Sequence, residues 1–266
     1  MSSSNAAPLY DNIGVNYDAT RRADPYLTER LVRHVGLQNG RRYLDIACGT
    51  GNYTVALAAR GGCWHGLDLS SGMLRSARRK GRDIHLARGD ASALPFADLS
   101  FDGAVCTMAL HHISDLLPVF CEAFRVLRQG RLVIFTSTCE QLANYWLNEY
   151  FPIAMERSAD QMPPVASVIW ALSQAGFTLT RVEHYYVRPD LQDLFLYAGK
   201  HRPEIYLSDA IRQGISTFST LADPVELDEG CHRLQRDIES GSFRQVTEKY
   251  RNDDGDYIFI VASKPG

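Results

Sequence analysis

The sequence predicts a doubly wound α/β fold, and three observations carry that reading. Short apolar strands alternate with helical segments through the first half of the chain. A glycine-rich loop closes the first strand, and an aspartate stands at or near the end of each of the first three strands. A strand that rejoins its sheet through a helix makes a right-handed crossover and lays that helix over one face. Repeated crossovers bury both faces of the sheet, so the strands read as apolar runs. With 266 residues there is ample chain for one sizeable core.

Taken in order, residues 1–7 are expected to fray. Asp24 before Pro25 is an N-cap with proline at the first helical position. Leu27, Leu31 and Val35 then recur at helical spacing, and Gly36 stops the helix. Residues 43–47 form the first strand and 54–59 a helix. Residues 63–67 form the second strand, 70–79 a helix, and 84–87 the third strand. The fourth strand spans 102–108, a helix 116–127, and the fifth strand 132–136.

The second half is less regular. Residues 145–157 are aromatic and helical, with Pro152 interrupting them. Residues 165–175 form a helix stopped by Gly176. Residues 177–187 form a long strand, because Thr178, Thr180, Val182, Tyr185 and Val187 favour extension. Residues 188–250 read as helices. The clearest is capped by Asp223, starts at Pro224, carries Leu227, Cys231, Leu234 and Ile238 on one face, and ends at Gly241. Residues 256–263 are a final buried strand. No linker cuts the chain into independent domains.

Composition narrows the function classes. Hydrophobic residues at 45% and charged residues at 22% exclude a disordered chain. Lys plus Arg number 28 against 31 Asp plus Glu, a net charge of −3, so nucleic acid is not expected as a partner. No apolar run approaches a membrane span. The start lacks the basic and apolar regions of a signal peptide, and the expectation is a cytoplasmic protein. Cys48, Cys63, Cys106, Cys121, Cys139 and Cys231 match no CxxC or zinc spacing. They read as reduced thiols, and no metal is expected.

The chemistry concentrates in the loop from Asp45 through Ala47, Gly49 and Gly51. Glycines separated by one residue let the backbone turn sharply and approach a ligand. A dinucleotide site would want a third glycine where Thr54 stands, and no acid against its pyrophosphate. Asp45 suits instead a ligand with positive charge, such as a sulfonium or an ammonium. Asp68 falls about 20 residues after the glycine loop, where a carboxylate accepts from both ribose hydroxyls. Asp90 can accept from an adenine amino group, with the neighbouring Ala91 N–H donating to the ring. Leu69 and Met73 are spaced to sandwich the adenine.

At these residues the chain resembles the class I S-adenosylmethionine-dependent methyltransferases, most closely the ubiquinone and menaquinone methyltransferase branch. The segments LDIACGTGNYT, GLDLSSGML, GDASALPF, FDGAVCTMALHHI and EAFRVLRQG carry the resemblance, which covers residues 10–136 closely and the last strand loosely. Two departures stand out. Ala47 replaces the first glycine of the fuller loop pattern. RVLRQGRLVI lacks the usual Pro-Gly-Gly turn, so the entry to the fifth strand is expected to be tighter or shifted.

The resemblance implies a Rossmann-like, seven-stranded, mostly parallel sheet with an antiparallel last strand. It also implies in-line methyl transfer from S-adenosylmethionine to an O, N or C nucleophile of a small-molecule acceptor. Strands six and seven are usually joined by a short hairpin, whereas here residues 188–250 lie between them. Residues 1–187 and 251–266 are therefore expected to form the methyltransferase core, with 1–36 as an N-terminal helical lid. Residues 188–250 are expected to form a helical cap at the mouth of the site, supplying aromatic side chains to the acceptor pocket.

By the same resemblance, Tyr10 and Tyr17 belong to a segment that folds over the cofactor, with Arg21 pairing with its carboxylate; the competing reading is an amphipathic helix packed on the sheet with Arg21 and Arg22 solvated. Thr107, ending the fourth strand, completes the cofactor set. His111 and His112 follow that strand where the methyl group should lie, as candidates to remove a proton from the acceptor. The competing reading makes them pocket-shaping residues at a helix start. Two other classes stay open: a non-methylating protein that binds the same cofactor on this fold, and a methyltransferase acting on protein or nucleic acid. The oligomeric state is left open.

Overall fold

The computed structural model describes residues 20–81 and 83–266, so the expectations for residues 1–19, including Tyr10 and Tyr17, lie outside the described residues. Helix α1 (Pro25–Val35) begins where Asp24 accepts from the Leu27 N–H at 2.8 Å and ends at Gly36 in the left-handed region. Five strands follow: β1 (Arg42–Ile46), β2 (Cys63–Asp68), β3 (Ile84–Arg88), β4 (Gly103–Thr107) and β5 (Gly130–Thr136). Between them run α2 (Asn52–Ala58), α3 (Ser71–Lys80) and α4 (Leu116–Val126). Strand β5 starts at Gly130, two residues before the expected entry. A Cβ at Gly130 would meet the Asp102 carbonyl oxygen at 2.1 Å, so only glycine makes this tight entry beside β4.

After β5 come α5 (Cys139–Ala143), α6 (Pro152–Asp160), α7 (Val165–Gln174) and β6 (Thr178–Tyr185). Pro152 does not interrupt a helix. It starts one, because a proline at the first helical position gives up no hydrogen bond. Residues 146–149 before it form a separate 3₁₀ turn. Helix α5 was not expected from the sequence, although Thr138 and Gln141 form a capping box that marks its start.

The described residues form a seven-stranded sheet of order β3-β2-β1-β4-β5-β7-β6. Strands β1 to β5 pair in parallel, and β7 (Tyr257–Lys264) runs antiparallel between β5 and β6. One face of the sheet is covered by α1 and by residues of the segment between β6 and β7. The other is covered by α4 and α7, giving two buried apolar layers.

Strand β6 therefore delivers the chain to the carboxyl edge, and β7 starts from that edge with Tyr257 opposite Tyr185 and Ile258 opposite Thr136. The intervening segment is built from short 3₁₀ turns, α8 (Asp209–Gln213), α9 (Pro224–Ser240) and α10 (Phe243–Lys249). It is tied to the sheet where β7 begins. Buried Asp256 accepts from the Val187 N–H at 2.7 Å and from Lys200 Nζ at 2.8 Å. Its loss would strip a charged acceptor from a buried N–H. Asp256→Ala should lower stability by about 1.5–3 kcal/mol, read as the unfolding midpoint in urea. A midpoint matching the parent would rule out this anchor.

Candidate functional site

The site is built on the loop after β1. Ala47, Gly49 and Gly51 have φ of 57°, 55° and 72°, all left-handed. A Cβ on Gly51 would lie 2.9 Å from the Ala77 Cβ, so any side chain there would collide with α3. At Gly49 a Cβ would meet nothing within 4 Å, because the position borders an open cleft. Ala47 carries its left-handed backbone without glycine's freedom, a local strain that the surrounding loop has to hold.

Asp68, at the end of β2, grips this loop. Its two oxygens accept from the Gly49 N–H and the Ser70 N–H, each at 2.8 Å. A carboxylate has about four acceptor sites, so these two bonds do not exhaust it. Ser70 in turn caps α3 by accepting from the Met73 N–H at 3.2 Å. The loop carrying Asp90 is held from behind. Glu122 accepts from the Leu94 N–H at 2.7 Å, and Arg125 donates to the carbonyls of Leu94 and Phe96 at 3.0 and 2.8 Å.

A cleft of about 410 Å³ opens along the carboxyl ends of β1, β2, β3 and β4. Arg21, Ala47, Gly49, Asp68, Leu69, Met73, Asp90, Ala91 and Thr107 all line it, as does His112. Asp45 and Gly51 do not line it; they lie beneath. Asp45 is buried and accepts from Thr54 Oγ1 at 2.6 Å. Its Oδ1 is buried without a hydrogen-bond partner among the described residues. Its carboxyl is raised to about 7, chiefly by burial, with the Thr54 hydrogen bond opposing the rise and the neighbouring Asp68 charge adding to it.

A second, smaller cavity of about 90 Å³ lies beyond the first, and Arg21 and Met108 line both. Its walls include His111, Thr136, Ser137, Ser158, Phe195, Leu196, Ile215, Thr217 and Tyr257. Of the aromatics in residues 188–250, Phe195 alone is among these walls. Tyr197, Tyr206 and Phe218 are packed into the buried core. The aromatic-rich pocket anticipated from the sequence is instead a mixed one, with aliphatic side chains and several hydroxyls.

The two histidines divide between the cavities, His111 facing the smaller and His112 the larger. Burial, with the neighbouring His112 and Arg21 charges, lowers His111 to about 3, and burial lowers His112 to about 4. Both rings are neutral at ordinary pH. His111 Nδ1 is buried with no hydrogen-bond partner among the described residues.

Sequence reasoning named Arg21 but missed Asp193, the acid that holds it where the two cavities meet. Arg21 Nε donates to Asp193 Oδ1 at 2.5 Å, and the Tyr53 hydroxyl donates to Asp193 Oδ2 at 3.0 Å. Asp193 belongs to the segment between β6 and β7 and also lines the cleft. Nothing local marks it, since its partners lie 172 and 140 residues away.

The residues present fit S-adenosylmethionine. An acid with an unpartnered oxygen lies under the left-handed loop. Two further acids line the cleft at successive strand ends, and Leu69, half exposed at 51%, offers an apolar face beside Met73.

Comparison with known proteins agrees. A family model described as a methyltransferase domain matches residues 44–135. A demethylmenaquinone methyltransferase of Beutenbergia cavernae is 35% identical over 134 residues, 48% of this chain and 56% of that protein. One from Mycobacterium sp. (strain KMS) is 34% identical over 161 residues, 58% of this chain and 69% of that protein. The chain thus spans little more than half the length of the first of these relatives. Among solved structures, a protein from Anabaena variabilis, assigned as a methyltransferase from an antibiotic biosynthesis pathway, is 30% identical. It covers 91% of this chain and 98% of its own, with a TM-score of 0.82.

Two outcomes test this geometry. Asp68→Ala should weaken S-adenosylmethionine binding roughly tenfold or more in calorimetry, since bonds to a charged acceptor are each worth about 1.5–3 kcal/mol. Parent-like binding would remove Asp68 from the site. The second concerns pH. An acid whose folded-state value is raised lends its full stability below its unfolded value of 3.8 and loses it as pH rises through about 7. The ligand-free protein should therefore lose stability across that window, and Asp45→Asn should flatten the loss. An unchanged slope in Asp45→Asn would show that Asp45 is not the group responsible.

Proposed function

The chain belongs to the class I S-adenosylmethionine-dependent methyltransferases, in the quinone methyltransferase-like branch, and we propose that it methylates a small, uncharged, oxygen-bearing ring compound held in the smaller cavity. The observation that carries the substrate reading is that cavity itself. It abuts the cofactor cleft through Arg21 and Met108, and it combines Phe195, Tyr257, Leu196 and Ile215 with the hydroxyls of Thr136, Ser137 and Thr217. Apolar walls with a few placed polar groups suit a flat ring bearing hydroxyl or carbonyl oxygens. The quinone acceptors named for the relatives are of that class.

When bound, S-adenosylmethionine supplies an electrophilic methyl group on a sulfonium. The protein's part is to bind, orient and exclude water. Asp68 and Asp90 are the residues we assign to the ribose and the adenine, with Leu69 and Met73 against the ring. Arg21 stands at the junction of the two cavities. There it is the cation that would meet a carboxylate of the cofactor, shared with Asp193. The segment of residues 188–250 acts as a cap: it contributes Phe195, Leu196 and residues 214–217 to the acceptor cavity and Asp193 to the cofactor cleft.

Within this proposal His111 orients the acceptor, and neither histidine takes its proton. A base is most effective when its pKa lies near the working pH, and burial holds His111 and His112 well below it. The unpartnered Nδ1 of His111 is suited to a hydrogen bond with an acceptor oxygen.

The direct experiment is turnover: S-adenosylmethionine with a panel of hydroquinones and phenols, scored by release of the demethylated cofactor. Measured binding of the cofactor with no turnover on any ring acceptor would sink the substrate class. With an acceptor in hand, His111→Ala should cost less than roughly tenfold in kcat, against the hundredfold or more typical of a lost general base. The parent's rate should also show no histidine inflection between about pH 6 and 8. An acidic limb in that range that vanishes in His111→Ala would restore the proton-removing role. Phe195→Leu should raise the KM of the acceptor severalfold with cofactor affinity unchanged, as measured by steady-state kinetics and calorimetry. A loss confined to cofactor binding would move Phe195 out of the acceptor wall.

A further inference from the structure

At the opposite edge of the sheet from the cleft, strand pairing gathers three side chains of metal-binding type. Strands β2 and β3 pair in parallel with His65 directly opposite His85. Cys63 lies two residues before His65 on the same strand, and a period of two puts both on one face. The result is a close cluster. Cys63 Sγ lies 3.8 Å from His65 Nε2, the two imidazoles stack with centroids 4.6 Å apart, and the three ligand atoms all lie within 4.8 Å of one another.

A tetrahedral zinc with Zn–S of about 2.3 Å and Zn–N of about 2.0–2.1 Å sets sulfur and nitrogen about 3.5 Å apart. The Cys63–His65 pair is already close to that edge, and His85 is exposed, with freedom to turn. His65 Nε2 also sits 3.4 Å from Arg42 Nη2. A guanidinium can only donate, so in that contact Nε2 carries the lone pair, the form in which imidazole binds a metal. The exposed Arg42 head would give up this contact to a bound ion.

We propose that Cys63, His65 and His85 form a binding site for a thiophilic divalent transition metal, of which zinc is the type, with its fourth position open to water. One thiolate and two imidazoles are the donors that such ions favour over oxygen-seeking calcium or magnesium. The ion would pin the starts of two adjacent strands. Cys63 is five residues from Asp68, about 16 Å along an extended strand, so the cofactor cleft lies outside its reach. The site acts on stability, through preferential binding to the folded chain.

The test uses the full chain without a histidine tag. Co²⁺ serves as the visible probe and Zn²⁺ as its competitor. One equivalent of Co²⁺ should give a thiolate-to-cobalt charge-transfer band, Zn²⁺ should bleach it, and Zn²⁺ should raise the thermal unfolding midpoint. Cys63→Ser should abolish the band. His85→Ala, at an exposed position that should fold normally, should weaken binding roughly 100-fold or more, beyond the 10–100-fold cost of losing a partner that merely orients a ligand. Calorimetry with S-adenosylmethionine should match the parent in both variants, which reports that the fold is intact. No band in the parent, or a band undiminished in Cys63→Ser, overturns the proposal; so does parent-like affinity in His85→Ala.

Discussion

Asp68 is the residue on which the architecture of the site depends. One carboxylate at the end of β2 accepts from the Gly49 N–H on the neighbouring loop and from the Ser70 N–H at the start of the next helix. In the left-handed run through Ala47, Gly49 and Gly51, the Cys48 N–H donates to the Leu67 carbonyl and the Gly51 N–H to the Cys48 carbonyl, while the Gly49 N–H needs a side-chain acceptor. Asp68 supplies it and at the same time fixes its own orientation toward the cleft. A ligand that engages Asp68 therefore meets a carboxylate already aimed, which reduces the ordering cost of binding.

The second dependence is topological. Because β7 runs antiparallel between β5 and β6, the chain leaves β6 and enters β7 at the carboxyl edge, beside the cleft. Any long connection there is forced to the mouth of the site. Two buried carboxylates secure it. Asp256 holds its base through Val187 and Lys200, and Asp193 holds its inner wall through Arg21 and Tyr53. These contacts make the segment part of the wall rather than a slack loop, and they bring the N-terminal Arg21 into the same unit.

Particular residues show how much was legible in advance. Asp24, Pro25 and Gly36 bounded the first helix because caps act within a few residues. Gly49, Asp68, Leu69, Met73, Asp90, Ala91 and Thr107 line one cleft because each stands at or just beyond the carboxyl end of a parallel strand. The errors were also local in origin. Pro152 looks like an interruption of an aromatic helix but starts a new one, and the Thr138–Gln141 capping box is a local signal for α5 that apolar periodicity does not show. The number of aromatics in residues 188–250 and the sheet edge at which that segment emerges point to the pocket, yet most of these rings go to the core, which has the larger demand for apolar area.

The sequence by itself determined the alternation of strands and helices from β1 to β5, the glycine loop and its acids, and so the kind of cofactor the cleft accepts. These are carried by spacing over fewer than about 25 residues, where caps, turns and strand ends act. Only the tertiary structure decided what meets across long separations. It paired Arg21 with Asp193, divided His111 from His112 between two cavities, and set Cys63 and His65 against His85. Those encounters depend on which strands pair and in what register, and a one-residue slip would send the side chains to the opposite face.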